Sequence, residues 1–305
     1  MEKSFINYRL FEVRHMDIVA IRGGGDIATG IAHRLYMAGF KIVIFEIEKP
    51  LSIRRRVCFS EAIYEDAVVV EGINAVHVKK MEDIESEISK GNIPVYIDGS
   101  CNSIRALNPS VVVDSILAKR NLGTTRDLAS ITIGIGPGFE AGIDVDAVIE
   151  SKRGHNLGRV IYRGKAQENT GIPGVIMGHG EDRVIRATRD GNIINLYEIG
   201  DKVEKGTPIC KIEDEYIYAK ITGIIRGLIK DGLFVNKGLK IGDIDPRMIE
   251  ENAFTISDKA RAIGGGVLEA ILCSQRRIRD VRDICIKRHI RTCGKGSELS
   301  ISNYY

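Results

Sequence analysis

Residues 17–46 read DIVAIRGGGDIATGIAHRLYMAGFKIVIFE, and this stretch decides the first half of the chain. A β-branched run ends at three glycines, an apolar-periodic segment follows as far as Gly39, and KIVIFE is a second apolar run. This order predicts a strand, a glycine turn, a helix and a second strand, joined by a right-handed crossover. We therefore expect an α/β protein whose first half is a Rossmann-like parallel sheet domain.

The glycine turn fits the pattern of a dinucleotide-binding or phosphate-binding loop. Gly23 would permit the tight turn, and Gly25 would let a phosphate approach the main chain. Amides at the helix start favour an anion, and Glu46 could accept a hydrogen bond from a ribose hydroxyl. Asp26 opposes this interpretation because it places a negative charge beside the anion, and it could instead cap the helix. The alternative is that the glycines only make the turn.

Further candidates lie where other predicted strands end. Val95–Asp98 and Val111–Asp114 are short apolar runs that each end in an acid, and a lysine follows the second run at position 119. Ligands of open α/β sheets collect at the carboxyl ends of strands. The candidates are therefore Asp98, Asp114 and Lys119, although capping at the surface explains the two acids equally well.

Three more segments supply basic side chains or glycine turns near these strand ends. They contain Arg54, Arg55, Gly136, Gly138, Arg153 and His155. The arginine pair after position 50 could meet a phosphate or lie in an exposed loop. The glycine pair could turn main-chain amides toward an anion. The histidine could titrate near neutrality, or it could be a hydrogen-bonded structural residue.

The second half carries an internal repeat. GNIINLYEIGDKVEKGTPICKI from Gly191 matches GIIRGLIKDGLFVNKGLKIGDI from Gly223, at an offset of 32 residues. Two copies are too few for a solenoid, but they can close into a two-fold body in which each copy covers the other's apolar face. The spacing of turns is typical of a barrel-sandwich hybrid, the fold of lipoyl and biotinyl carriers. The hairpin at Glu213–Tyr216 has no lysine for such a group.

These patterns predict five parts of the chain. They are an N-terminal extension (1–15), a Rossmann-like domain (16–182), an inserted barrel-sandwich-hybrid-like β domain (183–246), a segment that returns to the first domain (247–273) and a basic tail (274–305). Within the returning segment, Gly264–Gly266 could form a third glycine turn before a helix. Close packing of that helix on the first domain is the alternative.

Composition limits the classes of function. The 305 residues are 44% apolar and 28% charged, with a net charge of +3 whose basic excess lies at the two ends. We expect no nucleic-acid partner, and no membrane span because no apolar run approaches the required ~20 residues. The six cysteines contain no CxxC pair, which indicates a reducing cytoplasm. Cys285, His289 and Cys293 could share a helix face, but a fourth metal ligand is not evident, so no metal site is expected.

Several long stretches resemble one family. They include IRGGGDIATGIAHRL, VVVDSILAKRNLGT, RGHNLGRVI and ISDKARAIGGG, which follow one another between about Met16 and Leu272. These stretches are similar to the YqeB-type accessory proteins of the selenium-dependent molybdenum hydroxylase system. The first half also looks like a distant relative of the XdhC xanthine dehydrogenase accessory family. The resemblance implies a role in handling the molybdenum cofactor or its selenium ligand, without a known reaction or catalytic residues.

Three hypotheses follow from the sequence. The first is a maturation factor that holds a small phosphorylated ligand, molybdopterin or the molybdenum cofactor, and passes it to a molybdenum hydroxylase apoprotein. The second is an NAD(P)-dependent oxidoreductase, in which Glu46 would favour NAD, whereas Arg54–Arg56 would favour NADP. The third is a non-enzymatic carrier or docking protein that acts through the β domain. Assembly into a homo-oligomer is left open.

Overall fold

The computed structural model describes residues 18–169, 171 and 173–293, with side chains as far as Arg276. The predicted extension at 1–15 and the end of the predicted tail lie outside the described residues. No helix within the described part is long and apolar enough to cross a membrane. The α-helices are α1 (Asp26–Met37), α2 (Ala62–Glu65), α3 (Asp83–Ser89), α4 (Ile104–Leu107), α5 (Glu251–Phe254) and α6 (Asp258–Cys293).

Eleven strands precede residue 170. They are β1 (Ile18–Arg22), β2 (Lys41–Glu46), β3 (Ala67–Val70), β4 (Ile73–Val78), β5 (Ile93–Ile97), β6 (Val111–Asp114), β7 (Ile131–Ile135), β8 (Glu140–Ala141), β9 (Ala147–Ile149), β10 (Val160–Ile161) and β11 (Gly164–Lys165). Nine of them form one sheet in the order β10-β9-β7-β6-β1-β2-β5-β4-β3. The remaining two, β8 and β11, pair with each other in a short ribbon.

Helices cover both faces of the large sheet, and the side chains on both faces are accordingly apolar. Its inner strands, from β9 to β4, run parallel, and helices α1 and α6 pack over one face. Helices α3 and α4 pack over the other face through Ile84 and Ile104. Parallel strands that are covered on both sides are nearly continuous apolar runs. Because the inner strands run parallel, their carboxyl ends lie at one edge of the sheet. The candidate residues were predicted at this edge.

The repeat forms a second body, here called the repeat body (residues 184–245). Its strands are β12 (Val184–Arg186), β13 (Gly191–Asn195), β14 (Lys202–Val203), β15 (Pro208–Ile212), β16 (Glu215–Tyr218), β17 (Gly223–Leu228), β18 (Phe234–Val235) and β19 (Lys240–Asp245). They form two four-stranded sheets, β12-β19-β17-β14 and β16-β15-β13-β18. Each sheet contains one strand from the other copy, since β14 pairs with β17 and β18 pairs with β13. The two sheets enclose one apolar core, which neither copy could close alone.

The predicted fold class, a Rossmann-like parallel sheet with an inserted barrel-sandwich hybrid, is wrong. The large sheet is mixed, because β3 and β10 add antiparallel edges to it. The helical layers of a doubly wound fold are also incomplete. The connection from β5 to β6 contains only the four residues of α4, and the connection from β6 to β7 contains only the 3₁₀ turn Arg126–Leu128. Residues 17–46 do form a strand–helix–strand unit, but the rest of the sheet does not repeat it.

Gly264–Gly266 lie inside α6, so the prediction of a third glycine turn before a helix is wrong. The alternative, close packing of the helix, describes what the structure has. A Cβ at Gly264 would lie 2.9 Å from the carbonyl oxygen of Gly30 in α1. A Cβ at Gly266 would overlap the carbonyl oxygen of Gly158. Helix α6 also continues beyond residue 273, where the tail was predicted to begin.

We expect Gly266→Ala to lower the free energy of unfolding by about 1–3 kcal/mol, because α6 must move away from residue 158. Gly265→Ala is the matched control, since no atom lies within 4 Å of a Cβ at that position. This control should be more stable than the parent by about 0.5–1 kcal/mol, because alanine favours a helix interior. Urea denaturation measures both changes. Equal effects of the two substitutions would contradict the close approach.

Candidate functional site

Two of the three glycines between β1 and α1 are used for packing within the protein. Gly23 has a φ of +89° and donates its amide to the carbonyl oxygen of Phe45 at 2.8 Å. A Cβ at Gly24 would lie 2.9 Å from the amide nitrogen of Ser60, because the loop of residues 52–60 covers the turn. These two glycines make the turn and admit the loop, as the alternative sequence interpretation proposed.

Gly25 is the glycine that leaves open space at the helix start. A Cβ there would meet only the Oγ of Ser52, at 3.7 Å. Gly25 is the N-cap residue of α1, and no side chain caps the helix. The amides of the first helical turn have no partners within the helix and carry partial positive charge. An anion in this space would therefore meet several main-chain donors.

Arg54 reaches the same helix start from the covering loop. Its side chain is buried, and its Nη1 atom lies 3.4 Å from the Oδ2 atom of Asp26. Its Nη2 atom donates to the carbonyl oxygens of Asn252 and Thr255, at 2.9 and 3.0 Å. The Nε atom is buried without a hydrogen-bond partner among the described residues. Because an unpaired buried donor is costly, this nitrogen is an unused binding group beside α1.

Two further polar groups lie around the turn, and sequence reasoning selected neither of them. Lys259 is the second residue of α6, and it has no ion-pair partner in the part of the chain that the structure describes. Burial lowers the pKa of its ammonium group, although the nearby carboxylates of Asp26 and Glu150 oppose that shift. The Oγ atom of Ser115 is buried and has no hydrogen-bond partner among the described residues. The carbonyl oxygen of Ser115 lies against Gly23.

Glu46 holds the glycine turn through both carboxylate oxygens. Its Oε2 atom accepts the amide of Gly24 at 2.7 Å, and its Oε1 atom accepts the amide of Ile47 at 2.8 Å. Burial raises the pKa of this carboxyl group. Glu46 therefore has a structural task that needs no ribose, and its contact with a ligand stays a prediction.

Asp114 belongs to a buried ion pair at the end of β6. Its Oδ2 atom lies 3.1 Å from the Nη1 atom of Arg22, and it accepts a hydrogen bond from the Oγ1 atom of Thr124 at 2.6 Å. Its Oδ1 atom accepts the amide of Ile116 at 3.1 Å. The guanidinium of Arg22 also donates to the carbonyl oxygen of Leu122. These contacts tie the loop after β6 to the sheet, so Asp114 positions this loop.

The second glycine turn is packed against protein. A Cβ at Gly136, whose φ is +76°, would overlap the side chain of Ser151. A Cβ at Gly138 would lie 2.7 Å from the amide nitrogen of Arg120. Lys119 precedes Arg120 in the loop after β6, where it is exposed and has a φ of +62°. The structure thus explains both glycines by close approach of neighbouring chain segments.

Arg55 and Asp98 have structural partners. The Nε atom of Arg55 donates to the carbonyl oxygen of Leu228 at 2.9 Å, and its Nη1 atom pairs with Glu61 at 3.0 Å. Arg55 therefore connects the covering loop to the repeat body. Asp98 accepts the amide of Ser103 at 2.8 Å and closes the turn before α4.

Arg153 forms a bidentate ion pair with Asp258 at the start of α6. The two nitrogen–oxygen distances are 2.7 and 2.8 Å. The hydrogen bonds from Arg153 hold the pKa of Asp258 well below its usual range, and the same hydrogen bonds raise the pKa of Arg153. His155 is exposed two residues further along. Arg153 thus fixes the first turn of α6, which also carries Lys259.

The structure brings only part of the predicted set together. Gly25, Asp26 and Arg54 lie at one helix start with Lys259, whereas Arg55 is directed to the repeat body. The segment ISDKARAIGGG held a usable signal, since it places a lysine at the start of a helix. No group of three His, Cys, Asp or Glu side chains within the described ranges could hold a metal ion. The side chains of residues 285, 289 and 293 lie outside the described residues.

We expect Asp114→Ala to lower the free energy of unfolding by about 3–5 kcal/mol, because it leaves the buried guanidinium of Arg22 uncompensated. Asp127→Ala is the control, since it removes an exposed ion pair to Arg105 at 2.7 Å. The control should leave stability nearly unchanged. Urea denaturation followed by circular dichroism measures both. If Asp114→Ala lowered the free energy of unfolding only slightly, the carboxylate would have a role other than stabilising the fold.

Comparisons with solved structures give weak similarities. The ectoine utilization protein EutE (DoeB) from Ruegeria pomeroyi has a TM-score of 0.23 and 10% identity, over 75% of this chain and 85% of that chain. A succinylglutamate desuccinylase/aspartoacylase from Rhodobacter sphaeroides has a TM-score of 0.22 and 12% identity, over 70% of this chain and 61% of that chain. Scores this low carry no argument about the present chain.

No family model matches the chain. One curated relative does match, the "Uncharacterized protein YqeB" of Escherichia coli (strain K12). It is 51% identical over 255 residues, which are 84% of this chain and 47% of that protein. The chain therefore spans about half the length of the relative that it matches. Over most of its own length, the chain is therefore similar to the YqeB protein.

Proposed function

We propose that the chain binds a small phosphorylated ligand at the start of α1 and acts as an accessory factor that delivers the molybdenum cofactor to a hydroxylase apoprotein. The supporting observation is a set of donors near the start of α1 that have no partner among the described residues. They are the Nε atom of Arg54, the ammonium of Lys259 and the first-turn amides of α1. A phosphate group has enough acceptor oxygens to satisfy donors from several directions at once.

The charges around the helix start also favour a phosphate. Asp26 is paired with Arg54, so its carboxylate is already balanced. Lys259 has no such partner, and burial disfavours its charged form. A phosphate placed beside this ammonium would favour the charged form and raise the pKa of Lys259. Binding would thus supply the counter-charge that this lysine lacks.

The cargo part of the proposal comes from the YqeB relationship. A phosphorylated pterin would be held by its phosphate, with Arg54 and Lys259 as charged donors and the open space at Gly25 as the point of approach. This binding mode needs no metal ligand from the protein. An NAD(P)-dependent oxidoreductase would use the same phosphate contacts, but no observation favours it, because Glu46 already binds two main-chain amides.

The decisive experiment compares bound small molecules in protein purified from two hosts. One host makes the molybdenum cofactor and the other cannot. We expect mass spectrometry of the denatured protein to find a phosphorylated pterin only with the first host. Gly25→Val is the matched control, because a Cβ there meets only the Oγ atom of Ser52, at 3.7 Å, and the added side chain occupies the space proposed for the phosphate. This variant should fold and carry no pterin. Parent protein without pterin from both hosts would contradict the proposal.

We expect Lys259→Met to weaken phosphate-dependent ligand binding by about tenfold, or ~1.4 kcal/mol, because it removes one charged donor while keeping the packing of the side chain. Lys152→Met is the control, because Lys152 is exposed and follows β9 in the same region. The control should bind like the parent. Isothermal titration with inorganic phosphate and with the released pterin measures the change. Unchanged affinity for both probes in Lys259→Met would exclude this lysine from the site.

A further inference from the structure

The repeat body has a groove between its two sheets, with a volume of about 860 Å³. Residues 184–188 line one side of it, and residues 216–220 line the other. These segments contain β12 and β16, which are the outer strands of the two four-stranded sheets. The groove therefore lies between two sheet edges that belong to different sheets.

The groove follows the two-fold relation of the repeat. Ile185 and Ala187 on one side correspond to Ile217 and Ala219 on the other, at the same offset of 32 residues. The hydrogen bonds correspond as well. The amide of Gly238 donates to the carbonyl of Ala187, and the amide of Gly206 donates to the carbonyl of Ala219, both at 2.8 Å. The repeat thus extends upstream of residue 191 and presents the two edges symmetrically.

The two edges offer main-chain hydrogen bonds. Among the described strands, β12 pairs only with β19, and β16 pairs only with β15. The opposite side of each strand therefore has amide and carbonyl groups that no strand uses. An extended peptide can add to such an edge as a further strand, and its alternate side chains then meet the groove.

The charge at the groove selects the kind of peptide. Lys205, Lys220 and Lys237 line it, and each is exposed without an ion-pair partner in the described part of the chain. Asp182 also lines the groove and contributes one negative charge. Arg186 is paired with Glu181 at 2.7 Å. Three lysines against one carboxylate leave a positive net charge facing an occupant.

The apolar surface of the groove adds a second requirement. Tyr216 and Tyr218 line it with 48% and 53% of their surface exposed, and their rings lie 6.5 Å apart. Exposed tyrosine rings beside an open strand edge provide apolar surface on which aliphatic side chains pack. An occupant that alternates carboxylates with aliphatic side chains satisfies both requirements.

We propose that this groove binds an extended acidic segment of a partner protein, which adds as a strand to β12 or β16 and places its carboxylates on the three lysines. A peptide fits better than a nucleic acid, because only a peptide presents main-chain donors and acceptors at strand spacing. The inference does not depend on the ligand site at α1, which lies on other elements of the fold.

A fluorescent peptide of about eight residues that alternates glutamate and valine tests the proposal on the full chain, by fluorescence anisotropy. Two control peptides carry lysine in place of glutamate or proline in place of two valines. The glutamate peptide should bind at least about tenfold more tightly than either control, because one control loses charge complementarity and the other loses main-chain pairing. Equal binding of all three peptides would overturn the proposal. A single-stranded oligonucleotide that competes as strongly as the glutamate peptide would overturn it as well.

Charge reversal on the protein locates the binding surface. The double variant Lys205→Glu, Lys237→Glu should bind the glutamate peptide at least about tenfold more weakly. Lys202→Glu is the matched control, because Lys202 is exposed on β14 but does not line the groove. This control should keep the affinity of the parent, and so should Gly25→Val, which alters only the α1 site. A double variant that folds, as judged by circular dichroism, and still binds like the parent would place the peptide elsewhere and overturn the proposal.

Discussion

The close contact between α1 and α6 is the constraint on which the rest of the structure depends. A Cβ at Gly30 would lie only 3.0 Å from the main chain of Ala260, and Gly264 is as near to Gly30 from the other helix. Helices whose main chains approach this closely cannot slide or tilt without overlap. The packing therefore sets both helix starts at the carboxyl edge of the sheet. As a result, Lys259 lies beside Asp26, although more than 200 residues separate them in the sequence.

A second layer of buried polar contacts fixes the turn in front of these helices. Glu46 accepts the amide of Gly24, and the pair of Arg22 and Asp114 holds the loop that carries Ser115. Buried charges are stable only when they are paired and hydrogen-bonded, so these residues hold the turn in one conformation. Around this turn, the donors without a partner among the described residues are then the Nε atom of Arg54, the Oγ atom of Ser115 and the ammonium of Lys259. This contrast between satisfied and unsatisfied donors distinguishes the candidate site from the framework around it.

Local patterns in the sequence predict the elements well and their assembly poorly. The strand bounds of KIVIFE follow from short-range periodicity. The strand order of the sheet does not, because neighbouring strands such as β1 and β6 come from distant parts of the chain. The same limit applies to the site. Gly25 and Arg54 stand in recognisable motifs, whereas the position of Lys259 depends on the packing of α6, which no local pattern encodes.

The covering loop of residues 52–60 connects the repeat body to the candidate site. The amide of Leu228 donates to the carbonyl of Ile53 at 2.7 Å, and Arg55 returns a hydrogen bond to the carbonyl of Leu228. Gly227 allows this approach, since a Cβ there would lie 2.9 Å from the same carbonyl of Ile53. Arg54 lies between these two anchored residues, so β17 helps to determine where its guanidinium group lies. The repeat body is thus part of the framework of the α1 site as well as the bearer of the groove proposed for a partner.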